Sequence, residues 1–119
     1  MNDKPSTEQL PELTDAAVAR IETAVFDDIA ERVTALGGVA MGTSRIAGKA
    51  SRIAELPHDS YDGMKMVALL ADRYARLAKS TRAAIDSADE AGDADTADLF
   101  TGISRGLDKS LWFLEAHLQ

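Results

Sequence analysis

The stretch VFDDIAERV, residues 25–33, sets Asp27 and Glu31 four residues apart. On a helix, that spacing puts both carboxylates on one face about one turn apart, where like charges repel. Either water solvates the pair, as on any helix surface, or a cation sits between them. Two hard oxygen donors at this spacing suit Fe(II), Mn(II) or Mg(II) better than soft metals. The adjacent Phe26 and Ala30 make full solvation of that face harder than on an ordinary polar surface.

The densest acidic group is Asp93, Asp95 and Asp98, preceded by Asp86, Asp89 and Glu90. Most of it has a structural use, because Asp93 or Asp95 would cap a helix and first-turn acids suit the positive end of its dipole. If symmetry brought several copies together, the same cluster would guide cations. Other candidates fail on chemistry. Glu55 and His58 match the Glu-x-x-His spacing of di-iron helices, but Pro57 argues against the helical turn that spacing requires. His58 therefore reads as an exposed loop residue. His117 stands two residues from the end, where fraying weakens a ligand role. There is no cysteine, and so no disulfide, thiolate ligand or thiol nucleophile.

The elements that would carry these groups follow from apolar periodicity. Residues 1–13, with Pro5 and Pro11, read as a polar, flexible arm, and residues 14–119 as one helical domain. Val18, Ile21, Val25, Ile29, Val33 and Leu36 recur every three or four residues, predicting an amphipathic helix from Thr14 or Asp15 to Gly37-Gly38. Thr43 or Ser44 would cap a short crossover helix running to about Ala54. A second long helix should start after Ser60 or Asp62, carry Val67, Leu70, Tyr74, Leu77, Thr81 and Ile85 on one stripe, and end at Gly92. A third, from Asp93 or Asp95, should run to the C-terminus on Leu99, Ile103, Leu107, Leu111, Leu114 and Leu118. No stretch alternates with period two, so the expected class is an all-α bundle of three long helices and a short crossover helix. Phe26 and Ala30 lie off the first stripe, and Phe100, Trp112 and Phe113 off the last. Such extra apolar faces imply oligomerisation.

Charge narrows the partners. The formal net charge is −7 across 119 residues, and the bases form no stripe. Direct nucleic-acid binding is thus disfavoured, since phosphate contact rests on clustered Lys and Arg. No apolar run spans a bilayer and no signal-peptide pattern opens the chain, so a cytoplasmic protein with no membrane association is expected.

Four blocks stand in order along the chain: AERVTALGGVAMGT at 30–43, LADRY at 70–74, DTADL at 95–99 and SRGLDKSLWFLE at 104–115. With them, residues 15–119 resemble the Dps family (DNA-binding protein from starved cells), the small ferritin-like cage proteins. The resemblance implies a ferritin-like bundle assembled as a hollow homo-oligomeric dodecamer. It further implies ferroxidase chemistry, in which Fe(II) is oxidised by hydrogen peroxide and non-haem iron is stored as Fe(III). Family sites lie at a two-fold dimer interface with ligands from both subunits, and the family's Asp-x-x-x-Glu element matches Asp27 and Glu31. Acids at the start of the last helix line iron-entry pores in the family; Asp98 matches that region and Asp93 lies near it, while Ala94 stands where an acid is common.

The chain also departs from the pattern. Family members carry a further long helix, with a metal-binding histidine, ahead of the first helix expected here; the resemblance therefore implies a shortened member with an apolar groove on its bundle. Counting back at family spacing puts Glu12 in place of a second histidine and Ala16 in place of an aspartate, with Asp15 one residue, about 100°, out of register. The lysine-rich terminus of DNA-binding members is reduced to Lys4. Two readings remain: an iron-oxidising, iron-storing protein, or a catalytically impaired subunit that acts only in helical assembly.

Overall fold

The computed structural model describes residues 25–59 and 61–119. These form four helices and no strand: α1 over 25–35, α2 over Ser44–Ala50, α3 over Gly63–Glu90 and α4 over Ala94–Ala116. The all-α expectation holds for them. The arm at 1–13 and the first part of the expected first helix lie outside the described residues. The chain divides into two units, Met1–Ala40 and Met41–Gln119.

In the first unit, α1 ends where the glycine pair predicts, and each glycine has its own reason. Gly37 takes φ 84°, a left-handed conformation that a side chain strains. Its N–H reaches Thr34 O at 3.0 Å, and the Gly38 N–H reaches Val33 O at 2.9 Å. This paired closure satisfies carbonyls that the last turn would otherwise leave open. A Cβ on Gly38 would lie 2.9 Å from Val33 Cγ1, so the second glycine permits the close return of the chain.

In the second unit, every expected cap is present. Thr43 Oγ1 accepts from the Ile46 N–H at 3.4 Å, Asp62 Oδ1 from Met64 at 3.0 Å, and Asp93 Oδ1 from Thr96 at 3.1 Å. Helix α2 is shorter than expected, stopping at Ala50 rather than near Ala54. Ser51 turns extended, with ψ 132°, and its hydroxyl accepts from the Ile53 N–H at 3.3 Å, a local bond that competes with helix continuation. Helix α4 likewise stops at Ala116, before Leu118, as the Leu118 N–H closes a tighter turn on Glu115 O at 2.9 Å.

Helix α3 terminates by the same device as α1. Gly92 adopts φ 75°, the Asp93 N–H bonds Ala88 O at 2.9 Å and the Gly92 N–H bonds Asp89 O at 3.0 Å. The turn is so short that α4 folds back along α3 as a helical hairpin. The buried line includes Thr81 of the expected α3 stripe, but its other members lie beside the stripes rather than on them. The buried positions are Ala71, Ala78 and Thr81 of α3 and Ala97 and Ser104 of α4, and no large side chain is fully buried. Small residues let two helices approach closely and are covered completely. Leu70, Leu77, Leu107, Leu111 and Leu114 flank that line half-buried, because a helix pair covers only a strip of each surface. Arg82 and Asp108 bridge the pair at 3.0 Å on its exposed side. No helix among the described residues is long and apolar enough to cross a membrane.

Candidate metal centre

Asp27 and Glu31 both lie on α1 with exposed side chains. Neither makes a hydrogen bond or ion pair with a described residue. Helical geometry sets them one turn apart, which places their oxygens to share a cation. Beside them Phe26 is 53 % exposed, while Ala30 is half-buried. The face thus combines uncommitted carboxylates with an uncovered aromatic ring. Two carboxylates supply hard donors but too few for a closed site. Among the described residues no group of three or more His, Asp or Glu could hold a metal ion. The other positions that family spacing singles out, Glu12, Asp15 and Ala16, fall outside the described residues.

The histidines sit as their sequence context suggests. Glu55 and His58 do meet, at 3.5 Å, but on a non-helical segment where both side chains are almost wholly exposed. His117 turns its Nδ1 onto Phe113 O at 2.7 Å, capping the end of α4 rather than facing other ligands.

Within the acidic group the carboxylates divide. Asp93 is half-buried, and its side chain accepts from both the N–H and the hydroxyl of Thr96, the latter at 2.5 Å. Its oxygens are committed to starting α4. Asp95 and Asp98 are exposed in the first two turns of the same helix, where acids oppose the dipole's positive end. From Ala83 to Ser104 the chain holds no base at all, which leaves this end of the hairpin strongly negative.

The cleft beside α2 offers cations nothing. This open cleft of about 470 Å³ lies between α2 and α3, with Ala47, Ala50, Ile53 and Leu77 as its apolar lining and Arg52 and Arg76 at its edge; no acid lines it. The other end of the hairpin is apolar, with Trp112 63 % and Phe113 49 % exposed and their rings 5.0 Å apart. Phe100, also off the leucine stripe, is half-buried.

The arrangement of helices has known counterparts. The family model for the ferritin-like domain matches residues 3–119. A DNA protection during starvation protein from Agrobacterium fabrum is 50 % identical over 93 residues, covering 78 % of this chain and 57 % of that protein. The chain therefore spans little more than half the length of that relative. A crystal structure of a Dps protein from Bacillus brevis superposes with TM-score 0.79 at 30 % identity, covering 98 % of this chain and 77 % of the other. The chain belongs to the Dps family. A further Dps structure, from Vibrio cholerae, superposes with TM-score 0.78 at 26 % identity over 98 % of this chain and 72 % of that one. That protein is described as a member of the ferritin-like diiron-carboxylate superfamily.

Proposed function

We propose that this Dps-family chain oxidises Fe(II) with hydrogen peroxide and sequesters the Fe(III) product, with Asp27 and Glu31 as iron ligands. The single observation that carries the reading is the pair itself: two exposed carboxylates one turn apart, free of any partner among the described residues, beside a half-exposed Phe26. Residues with no structural use, held at ligand spacing on a face that needs covering, are well suited to a site completed by a second copy. The diiron-carboxylate description of the Vibrio cholerae relative supports iron as the substrate.

In this reading the carboxylates bind Fe(II) and stabilise the more highly charged Fe(III) that forms. Each peroxide takes one electron from each of two Fe(II) ions. Its O–O bond breaks and, with two protons, it leaves as two waters. Consuming both reactants protects DNA without requiring direct contact with it, in keeping with the acidic charge. Asp98 draws iron toward the assembly, and Asp93 contributes charge from its capping position. The assembly is a homo-oligomer, a dodecamer if the family cage forms, working in the cytoplasm. Exposed Phe26, Trp112 and Phe113 support assembly of some kind.

The second reading, an assembly-only subunit, is favoured by the absence of a third ligand beside Asp27 and Glu31 among the described residues. Native mass spectrometry before and after Fe(II) with limiting peroxide separates the two. A twelve-subunit species that gains iron, and fails to in Asp27→Ala/Glu31→Ala, supports the ferroxidase reading. An assembly that forms but takes up no iron leaves the second. A monomer or dimer without iron removes the ferroxidase reading.

A further inference from the structure

The segment 51–59, which joins α2 to α3, has almost nothing to hold it by ordinary packing. It forms no helix, and Leu56 alone among its residues is even half-buried. No backbone–backbone hydrogen bond among the described residues ties it to a helix. It is nevertheless anchored, by one side chain. Arg73 on α3 donates from Nε to Ala54 O at 2.7 Å and from Nη2 to Glu55 O at 2.6 Å. Its Nη1 donates to Leu69 O at 3.0 Å, which holds the guanidinium against its own helix.

Two consecutive carbonyls meeting the Nε and Nη2 donors along one edge of a planar, charged fork is a geometry that only arginine provides. A lysine offers a single point donor and cannot span both. Helix α2 depends on the same contact. It is seven residues long and buries none of them, and a helix that short does not persist in water by its own hydrogen bonds. Its far end is fixed by the chain that Arg73 grips.

We propose that Arg73 is a latch: its guanidinium clasp on the Ala54 and Glu55 carbonyls holds the crossover beside α3 and so fixes the chain that follows α2, and releasing it frees residues 44–59 as a unit while the α3–α4 hairpin stays folded. The hairpin has its own packing: among the described helices α3 and α4 pack on each other, with Ala71, Ala78, Thr81, Ala97 and Ser104 buried. The latch is thus a positioning residue that decides whether the basic face of α2, with Arg45 and Lys49, is presented in one fixed conformation.

Hydrogen exchange and limited trypsin digestion of the full chain test this, comparing wild type with Arg73→Gln and Arg73→Lys. Lys79→Ala serves as the control, since Lys79 is an exposed base of the same helix that does not line the cleft beside α2. In Arg73→Gln, cleavage after Arg45, Lys49 and Arg52 should quicken at least about 10-fold, with amide protection lost across 44–59 and retained in α3 and α4. Arg73→Lys should fall between, and Lys79→Ala should match wild type. Unchanged cleavage and exchange at 44–59 in both Arg73 variants would overturn the proposal. So would loss of protection spread evenly through α3 and α4, because Arg73 would then support the whole unit rather than the crossover.

Discussion

Asp27 and Glu31 on α1 and Asp93 ahead of α4 are the same functional group in opposite circumstances. The first two are exposed and bound to no described residue. Asp93 is half-buried and accepts both the N–H and the hydroxyl of Thr96. Among the described residues Asp93 has partners and Asp27 and Glu31 have none, although all three sit in acidic surroundings. A carboxylate whose two oxygens each already accept an internal bond contributes charge but has fewer lone pairs left to coordinate with. One without donors keeps its lone pairs for a ligand. Clusters of acids in a sequence therefore need sorting by what each oxygen already accepts, and acidity alone does not locate a site.

The strongest way to break the contrast is to remove the uncommitted pair. Asp27→Ala/Glu31→Ala should lower the initial rate of Fe(II) oxidation with peroxide by at least about 10-fold, while urea unfolding followed by circular dichroism shifts by less than about 0.5 kcal/mol. A large stability loss would mean that the pair has a structural use after all. Asp93→Ala should do the reverse, costing about 1 kcal/mol as α4 loses its cap. Asp93→Asn, which can still accept from the Thr96 N–H, should restore most of that stability. It thereby isolates the effect of charge at this end of the hairpin on iron uptake.

Two smaller effects sharpen the comparison. Asp98→Asn should leave unfolding unchanged within about 0.5 kcal/mol yet slow the first phase of iron uptake, read by stopped-flow absorbance. Equal uptake in wild type and variant would remove Asp98 from iron entry. The smallest effect is expected at Asp108, whose exposed partner Arg82 lies 3.0 Å away. Asp108→Asn should cost no more than about 0.5 kcal/mol, because water competes for both ions.

Much of this was legible in the residues. The Gly37-Gly38 stop, the caps at Thr43, Asp62 and Asp93, and the Gly92 turn all rest on bonds within a few residues of one another. The rejection of Glu55 and His58 as a helical metal motif also holds, since Pro57 lies in a non-helical segment. Less legible was where α2 ends, because Ser51 could equally have continued the helix and only its bond to the Ile53 N–H decides otherwise. The seam was legible only in part: Thr81 stood on the expected stripe, but the other buried positions, Ala71, Ala78, Ala97 and Ser104, lie off the leucine rows. Asp27 and Glu31 were visible as a pair from spacing alone. Their lack of internal partners was not.

The amino-acid sequence by itself determined the helices, their caps and their glycine stops, because such features depend on neighbours about one turn away. Only tertiary structure decided which small residues would line the α3–α4 seam and that Arg73 would clasp carbonyls 18 and 19 residues behind it. Those contacts depend on where separate segments come to lie in space, and no local pattern of residue types encodes that distance.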